Sequence, residues 1–106
     1  MYARIVTLNI KANHLNDFKE MLDKQVIPML RKQNGFKDEL TFVGPSGNEV
    51  RTISIWDTKQ NAESYNSATY PEVLKVLANV LEGTPQLKTY DVVNSTFHRN
   101  PTLAAV

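Results

Sequence analysis

The order of periodicities along this chain predicts an α+β domain, a four-stranded antiparallel sheet with its helices on one face. Stretches that alternate every second residue and stretches that repeat every third or fourth follow one another as strand, helix, strand, strand, two-piece helix, strand. The two middle strands are joined by Gly44-Pro45-Ser46-Gly47-Asn48, a dense run of turn formers that makes them a hairpin. Large apolar residues stand on both faces of the strands, so the sheet is expected to be covered twice: by its own helices, and by another copy of the chain in a two-fold dimer.

The first strand is expected over Tyr2 to Ile10, with Tyr2, Arg4, Val6, Leu8 and Ile10 on one face and Ala3, Ile5, Thr7 and Asn9 on the other. Asn13 is placed to cap the helix that follows, whose apolar positions Leu15, Phe18, Leu22, Val26 and Met29 step by three or four. Pro28 lies inside it, lacking an N–H and crowding the preceding turn. Because the apolar stripe runs on to Met29 and Leu30, a bend near residues 24–28 is expected rather than a break. Gly35 then ends the helix in a left-handed cap, with Phe36 supplying the apolar contact.

The second strand is expected over residues 38–43 and the third over 49–56. Asp57 or Thr58 caps a short polar helix carrying Ala62 and Tyr65, with Gln60 in capping-box position after Asp57. Thr69 is expected to cap the next, with Pro71 just inside it and Glu72 completing the reciprocal pair. Its apolar face is Val73, Leu74, Leu77, Val80 and Leu81, and Gly83 with Pro85 closes it. Residues 88–98 make the last strand, so that residues 1–99 form one domain and 100–106 a loose tail. On the sheet's second face stand Ala3 and Ile5, Ile53 and Ile55, and Val93 and Phe97, the last pair set against Tyr90 and Val92.

A length of 106 residues suits a single core, and 42% hydrophobic with 22% charged residues is a globular composition. Twelve basic residues against eleven acidic ones, spread along the chain, leave no electrostatic footprint for nucleic acid or an anionic bilayer, so neither partner is expected. No apolar run approaches the ~20 residues of a membrane span. The first residues lack the apolar core and cleavage site of a signal peptide, so a cytoplasmic location is expected. The absence of cysteine removes disulfides, iron–sulfur clusters, thiolate zinc sites and thiol nucleophiles. His14 and His98 are far apart, and no carboxylate pair on one helix face joins either, so no metal is expected. No glycine-rich loop leads from a strand into a helix, which leaves nucleotide phosphates without a cradle.

The stretch from Ser54 to Pro71 gathers Trp56, Tyr65 and Tyr70. Each has a broad apolar body and one N–H or O–H that needs a partner when buried. That suits the wall of a small-molecule pocket as well as it suits a packed core.

Three segments, PMLRKQNGF from Pro28 to Phe36, SIWDTKQNAESY from Ser54 to Tyr65 and VVNSTFH from Val92 to His98, resemble the antibiotic biosynthesis monooxygenase domain, as does the element order over residues 1–99. The resemblance implies a ferredoxin-like fold that dimerises by packing two four-stranded sheets into an α+β barrel. It covers several activities, among them cofactor-free oxygenation of polycyclic quinol precursors and haem degradation. The haem-degrading members carry an asparagine, a tryptophan and a haem-ligating histidine where this chain, aligned on the shared W-x-x-K-Q segment, has Val6, Tyr65 and Lys75. A lysine ammonium is no axial ligand, so haem degradation is set aside. Asn9 lies on the opposite strand face from Val6, toward the expected dimer interface. The resemblance therefore implies a monooxygenase that uses no cofactor and acts on a small aromatic or quinol-like compound.

Such chemistry asks the protein for a dry cavity and a few hydrogen bonds to a developing anion, for which Tyr65, Tyr70 and Trp56 are candidates. A tyrosine titrates near ~10 and is a poor base at neutral pH. Proton removal then falls to His98, to His14 or to the substrate's own acidity. Tyr65 and His98 are thus the candidate catalytic residues, and Trp56, Tyr70 and Arg4 the candidate substrate-binding ones. Arg4, on the face of Val6, either orients an acidic substrate or forms a salt bridge. Two other readings stand beside the oxygenase: a non-catalytic binder of a small apolar ligand, and a structural module whose aromatic residues pack solid. A cavity large enough for a bicyclic ligand, lined by at least two of the three aromatic residues, separates enzyme and binder from the module.

Overall fold

The computed structural model describes residues 1–97. Four strands, β1 (Tyr2–Asn9), β2 (Phe36–Val43), β3 (Glu49–Trp56) and β4 (Gln86–Asp91), form one antiparallel sheet in the order β2-β3-β1-β4. This is the expected α+β, ferredoxin-like arrangement. Residues directly opposite one another share a face, so the register fixes two sets of side chains. Arg4, Val6, Leu8, Val50, Ser54 and Trp56 point to the helices and are buried. Ile5, Ile53 and Ile55 occupy the other face, with Leu40 and Phe42 of β2 and Tyr90 of β4 half exposed beside them.

The first helix is continuous but changes its winding where the proline demands it. It runs as α1 (Leu15–Met21), a π-helical turn over Leu22–Val26, and α2 (Ile27–Arg31). In a regular helix Pro28 would face the carbonyl of Lys24 without an N–H to give it. Inserting one residue into the turn re-spaces those groups, and the Ile27 N–H reaches the Leu22 carbonyl. The expected bend is thus a π turn, and Phe18, Val26 and Leu30 all remain buried.

Several local expectations are corrected. Asn13 does not cap this helix: it adopts φ +66°, a region that a short polar side chain tolerates, and the helix starts one residue later after His14. The His14 ring meets the Asp17 carboxylate at 3.1 Å on the exposed first turn. Of the two residues expected to cap α3 (Lys59–Ala68), Thr58 is the one that does so, accepting from the Asn61 N–H, while Asp57 pairs with Lys37 at 3.2 Å. Thr69 precedes α4 (Tyr70–Leu77) but makes no side-chain cap, because its hydroxyl donates instead to Gln33 Oε1 at 3.1 Å. β2 starts two residues earlier than expected, with an irregularity between Phe36 and Asp38.

The last strand is shorter than expected, and starts earlier. β4 ends at Asp91, opposite Tyr2, and a final bond runs from Val92 N to the Met1 carbonyl. A strand extends only as far as its neighbour, so the β-rich residues after it stay out of the sheet. Val93 and Phe97 are not the second-face residues they were expected to be; they lie beyond the strand, 78% and 87% exposed. His98 and the boundary between residues 99 and 100 fall outside the described residues.

Gly35 behaves as expected, with φ +77°, and the structure adds a second reason for it. A Cβ there would overlap the side chain of Asn61, whose backbone N–H is held by Thr58. Gly35→Ala combines a left-handed alanine with that overlap and should cost about 2 kcal/mol, read as a lowered urea midpoint with an unchanged slope.

Candidate functional site

The helix-facing side of the sheet carries a polar row where a core would ordinarily be apolar. Glu39 of β2, Ser54 of β3, Arg4 of β1 and Thr89 of β4 stand directly opposite one another in turn. Arg4 is the pivot. It is only 3% exposed, and no carboxylate among the described residues lies within ion-pair distance of it. The salt bridge considered for it is therefore not formed.

Aromatic faces and one amide surround Arg4 instead. Its guanidinium carbon lies 4.8 Å from the Tyr65 ring centroid and 4.5 Å from that of Tyr70. One terminal nitrogen donates to Asn66 Oδ1 at 2.9 Å, and the buried Nε has no hydrogen-bond partner. Burial pulls the arginine below its ordinary pKa, and the nearby tyrosine hydroxyls oppose that shift. A guanidinium nonetheless stays charged at neutral pH. The site is a buried positive charge with an unused donor.

α3 and α4 bring Tyr65 and Tyr70 over this charge from adjacent helices. The rings lie 6.0 Å apart, one on either side of the turn at Thr69. Burial pushes the Tyr65 hydroxyl up to about 12 despite the pull of Arg4, and it raises Tyr70 in the same direction. Both phenols are donors at physiological pH, and neither is a base. Trp56 takes a different place from the one expected. Fully buried, it donates its indole N–H to Ser54 Oγ at 2.9 Å and stacks on Tyr65 at 4.9 Å, with Phe36 edge-on behind it. It holds Tyr65 from behind and does not line the cavity.

Between sheet and helices lies a small cavity of about 40 Å³, bounded by Arg4, Glu39, Ser54, Tyr65 and Tyr70 and by apolar residues such as Phe18 and Leu22. That volume holds a few water molecules, well short of the ~300 Å³ and more of a typical ligand site. A wider groove of about 360 Å³ runs outside it between β2 and the first helix, past Asp23, Ile27, Phe36 and Glu39. Glu39 borders both spaces. It and Asn66 are the site residues the sequence reading missed. The signal for Glu39 was a charged residue at a helix-facing position of a strand, the same signal Arg4 gives. Asn66 had none, since only the packing of α3 over β1 brings it to Arg4. His14 stands apart on the surface of α1, and no group of three or more His, Cys, Asp or Glu among the described residues is placed to hold a metal ion.

Solved structures agree with this architecture. A monooxygenase from Streptomyces coelicolor, ActVA-Orf6, solved with nanaomycin D, superposes with a TM-score of 0.75 over 89% of this chain and 88% of its own, at 17% identity. SnoaB, a cofactor-independent oxygenase from Streptomyces nogalater, gives 0.74 over 90% and 95%, at 9% identity. The chain has the antibiotic biosynthesis monooxygenase fold. A Bordetella bronchiseptica protein described as a candidate member of that group gives 0.74 over 88% and 97%, at 17% identity. At such identities the likeness is one of fold. No family model matches the chain, and no curated protein matches it by sequence.

The tyrosine shift has a consequence for stability. With Tyr65 at about 12 in the folded chain and the ordinary 10 in the unfolded one, the unfolded chain loses its proton first as the solution turns alkaline. Stability therefore falls as pH rises from about 10 toward about 12. Tyr65→Phe should flatten that fall in thermal unfolding curves, and an equally steep fall in the variant would contradict the assignment.

Proposed function

We propose that this chain is a member of the antibiotic biosynthesis monooxygenase family, and a cofactor-independent oxygenase of a small aromatic or quinol-like compound. The observation that carries the proposal is the buried guanidinium of Arg4, which has no carboxylate within ion-pair distance among the described residues, an unused Nε donor and two protonated tyrosines over it. An enolate or phenolate is the anion such a place stabilises, and its developing charge would gain most because the surroundings exclude water. The overall reaction takes an activated CH2 group and dioxygen to a carbonyl and water. Two of the structurally similar proteins, a monooxygenase and a cofactor-independent oxygenase, support this reading.

A packed, non-catalytic module is the second reading, favoured by the small size of the inner cavity. Oxygen uptake separates the two. Purified, metal-free protein given anthrone or a hydroquinone should consume oxygen well above a heat-denatured control and yield an oxygenated product. Arg4→Met should lower kcat by about a hundredfold, and Tyr65→Phe should reduce turnover more than stability. No uptake across the panel favours the packed module.

The proposal includes a homodimer formed through the open sheet face, in a cytoplasmic setting without nucleic-acid or membrane partners. No helix among the described residues is long and apolar enough to cross a membrane. Leu40, Phe42 and Tyr90 are 46%, 51% and 50% exposed on the face that also carries Ile5, Ile53 and Ile55, an apolar surface that a second copy would cover. Light scattering at micromolar concentration should give the mass of two chains, and Phe42→Glu should shift it toward one. A single-chain mass for the unaltered protein contradicts the dimer.

A further inference from the structure

We propose that Glu39 is the general base of this site, taking a proton from an acidic carbon of the substrate while Arg4 holds the anion that results. The inference rests on the oxygenase reading for its substrate class, but proton removal is a separate step with its own test. Position comes first. Glu39 lies on the edge strand β2, opposite Ser54, which is itself opposite Arg4, so base and cation stand two strands apart on one face of the sheet. Glu39 borders both the inner cavity, with Arg4, Tyr65 and Tyr70, and the outer groove, with Asp23 and Ile27. The groove has the volume for a bicyclic molecule. A ring system resting there would place its reactive edge at the carboxylate.

The carboxylate is also prepared for the task. Thr41 Oγ1 donates to Glu39 Oε2 at 2.6 Å, which fixes the group and leaves Oε1 to receive a proton. Burial raises Glu39 above its ordinary pKa, the Thr41 bond opposes that, and Asp38 adds to it. A raised carboxylate is a better base at neutral pH, and the Arg4 charge makes the substrate a stronger acid, so the two affinities for the proton approach each other.

Atoms balance through the cycle. Glu39 takes one proton from the CH2 carbon and becomes a carboxylic acid. The carbanion passes an electron to dioxygen, the two radicals join, and a C–O bond forms to give a peroxide anion. Glu39 returns its proton to the terminal oxygen. Loss of the second C–H proton with cleavage of the O–O bond then leaves the carbonyl and water, with Glu39 ionised again.

The test follows proton removal without oxygen. Anthrone in D2O under nitrogen should exchange its methylene protons faster with the full-length protein than with a heat-denatured control, as read by proton NMR. Glu39→Gln, which still accepts from Thr41, should lose that acceleration about a hundredfold with its melting temperature maintained. The rate should fall as pH drops through the Glu39 titration, since only the ionised form accepts a proton. Bordering the two spaces that Glu39 borders are Arg4 from β1, Tyr65 from α3, Tyr70 from α4, Asp23 and Arg31 from the first helix, and Lys37 and Asp38 on its own strand. Thr41→Val removes a bond that favours the carboxylate and should move the midpoint to higher pH, which a purely structural Glu39 would not do. Exchange by Glu39→Gln at the unaltered rate overturns the proposal, as does no acceleration by the unaltered protein. Exchange under nitrogen without oxygen uptake in air upholds Glu39 as the base and overturns the oxygenase reading alone.

Discussion

A cation taken out of water without a counter-ion is costly, and the upper part of this molecule is built around one. Arg4 sits in the central strand with its charge inside the protein, and no carboxylate among the described residues pairs with it. Its compensation comes from the faces of Tyr65 and Tyr70 and from the Asn66 amide, all delivered by α3 and the start of α4. Those helices are in turn set by local chemistry. Thr58 caps α3 at the Asn61 N–H, Gly35 leaves room for the Asn61 side chain, and Trp56 stacks beneath Tyr65 with its own N–H satisfied by Ser54. The compensation is incomplete at Nε, where a hydrogen-bond acceptor would complete it.

The π turn gives the other wall of the site its shape. Pro28 makes a regular helix impossible across Lys24, and the chain answers by widening one turn over Leu22–Val26 rather than breaking. Leu22 and Val26 thereby line the inner cavity while Asp23 lines the outer groove. Glu39 lies across from this turn on an edge strand, where the sheet has no further neighbour among the described residues. A single backbone constraint in the helix thus bears on both spaces that meet at Glu39.

Much of the fold was legible because its signals are local. Alternation in Tyr2 to Leu8, the turn formers between Val43 and Glu49, the left-handed Gly35 and the stepping of Phe18, Val26 and Leu30 each depend on neighbours a few residues away. The misplaced caps show the limit of such signals. Asn13 and Thr69 have the right chemistry for capping, but Asn13 was needed for a left-handed turn, and the Thr69 hydroxyl found Gln33, distant in sequence, closer to hand. The last strand stops short for a similar reason, since β propensity after Asp91 has no effect without β1 to pair with.

By itself, the sequence determined the element order, the α+β class, both apolar faces of the sheet and the cluster of aromatic residues between Trp56 and Tyr70. These follow from periodicity and turn chemistry, which are properties of short segments. Only the tertiary structure decided that Arg4 would be buried without a carboxylate, that Trp56 would support Tyr65 rather than face a cavity, and that Glu39 would share a row with Arg4. The reason is that register across strands and the docking of α3 over β1 set those relations, and Arg4 carries no mark in the chain of Glu39 or of Asn66, the latter 62 positions away.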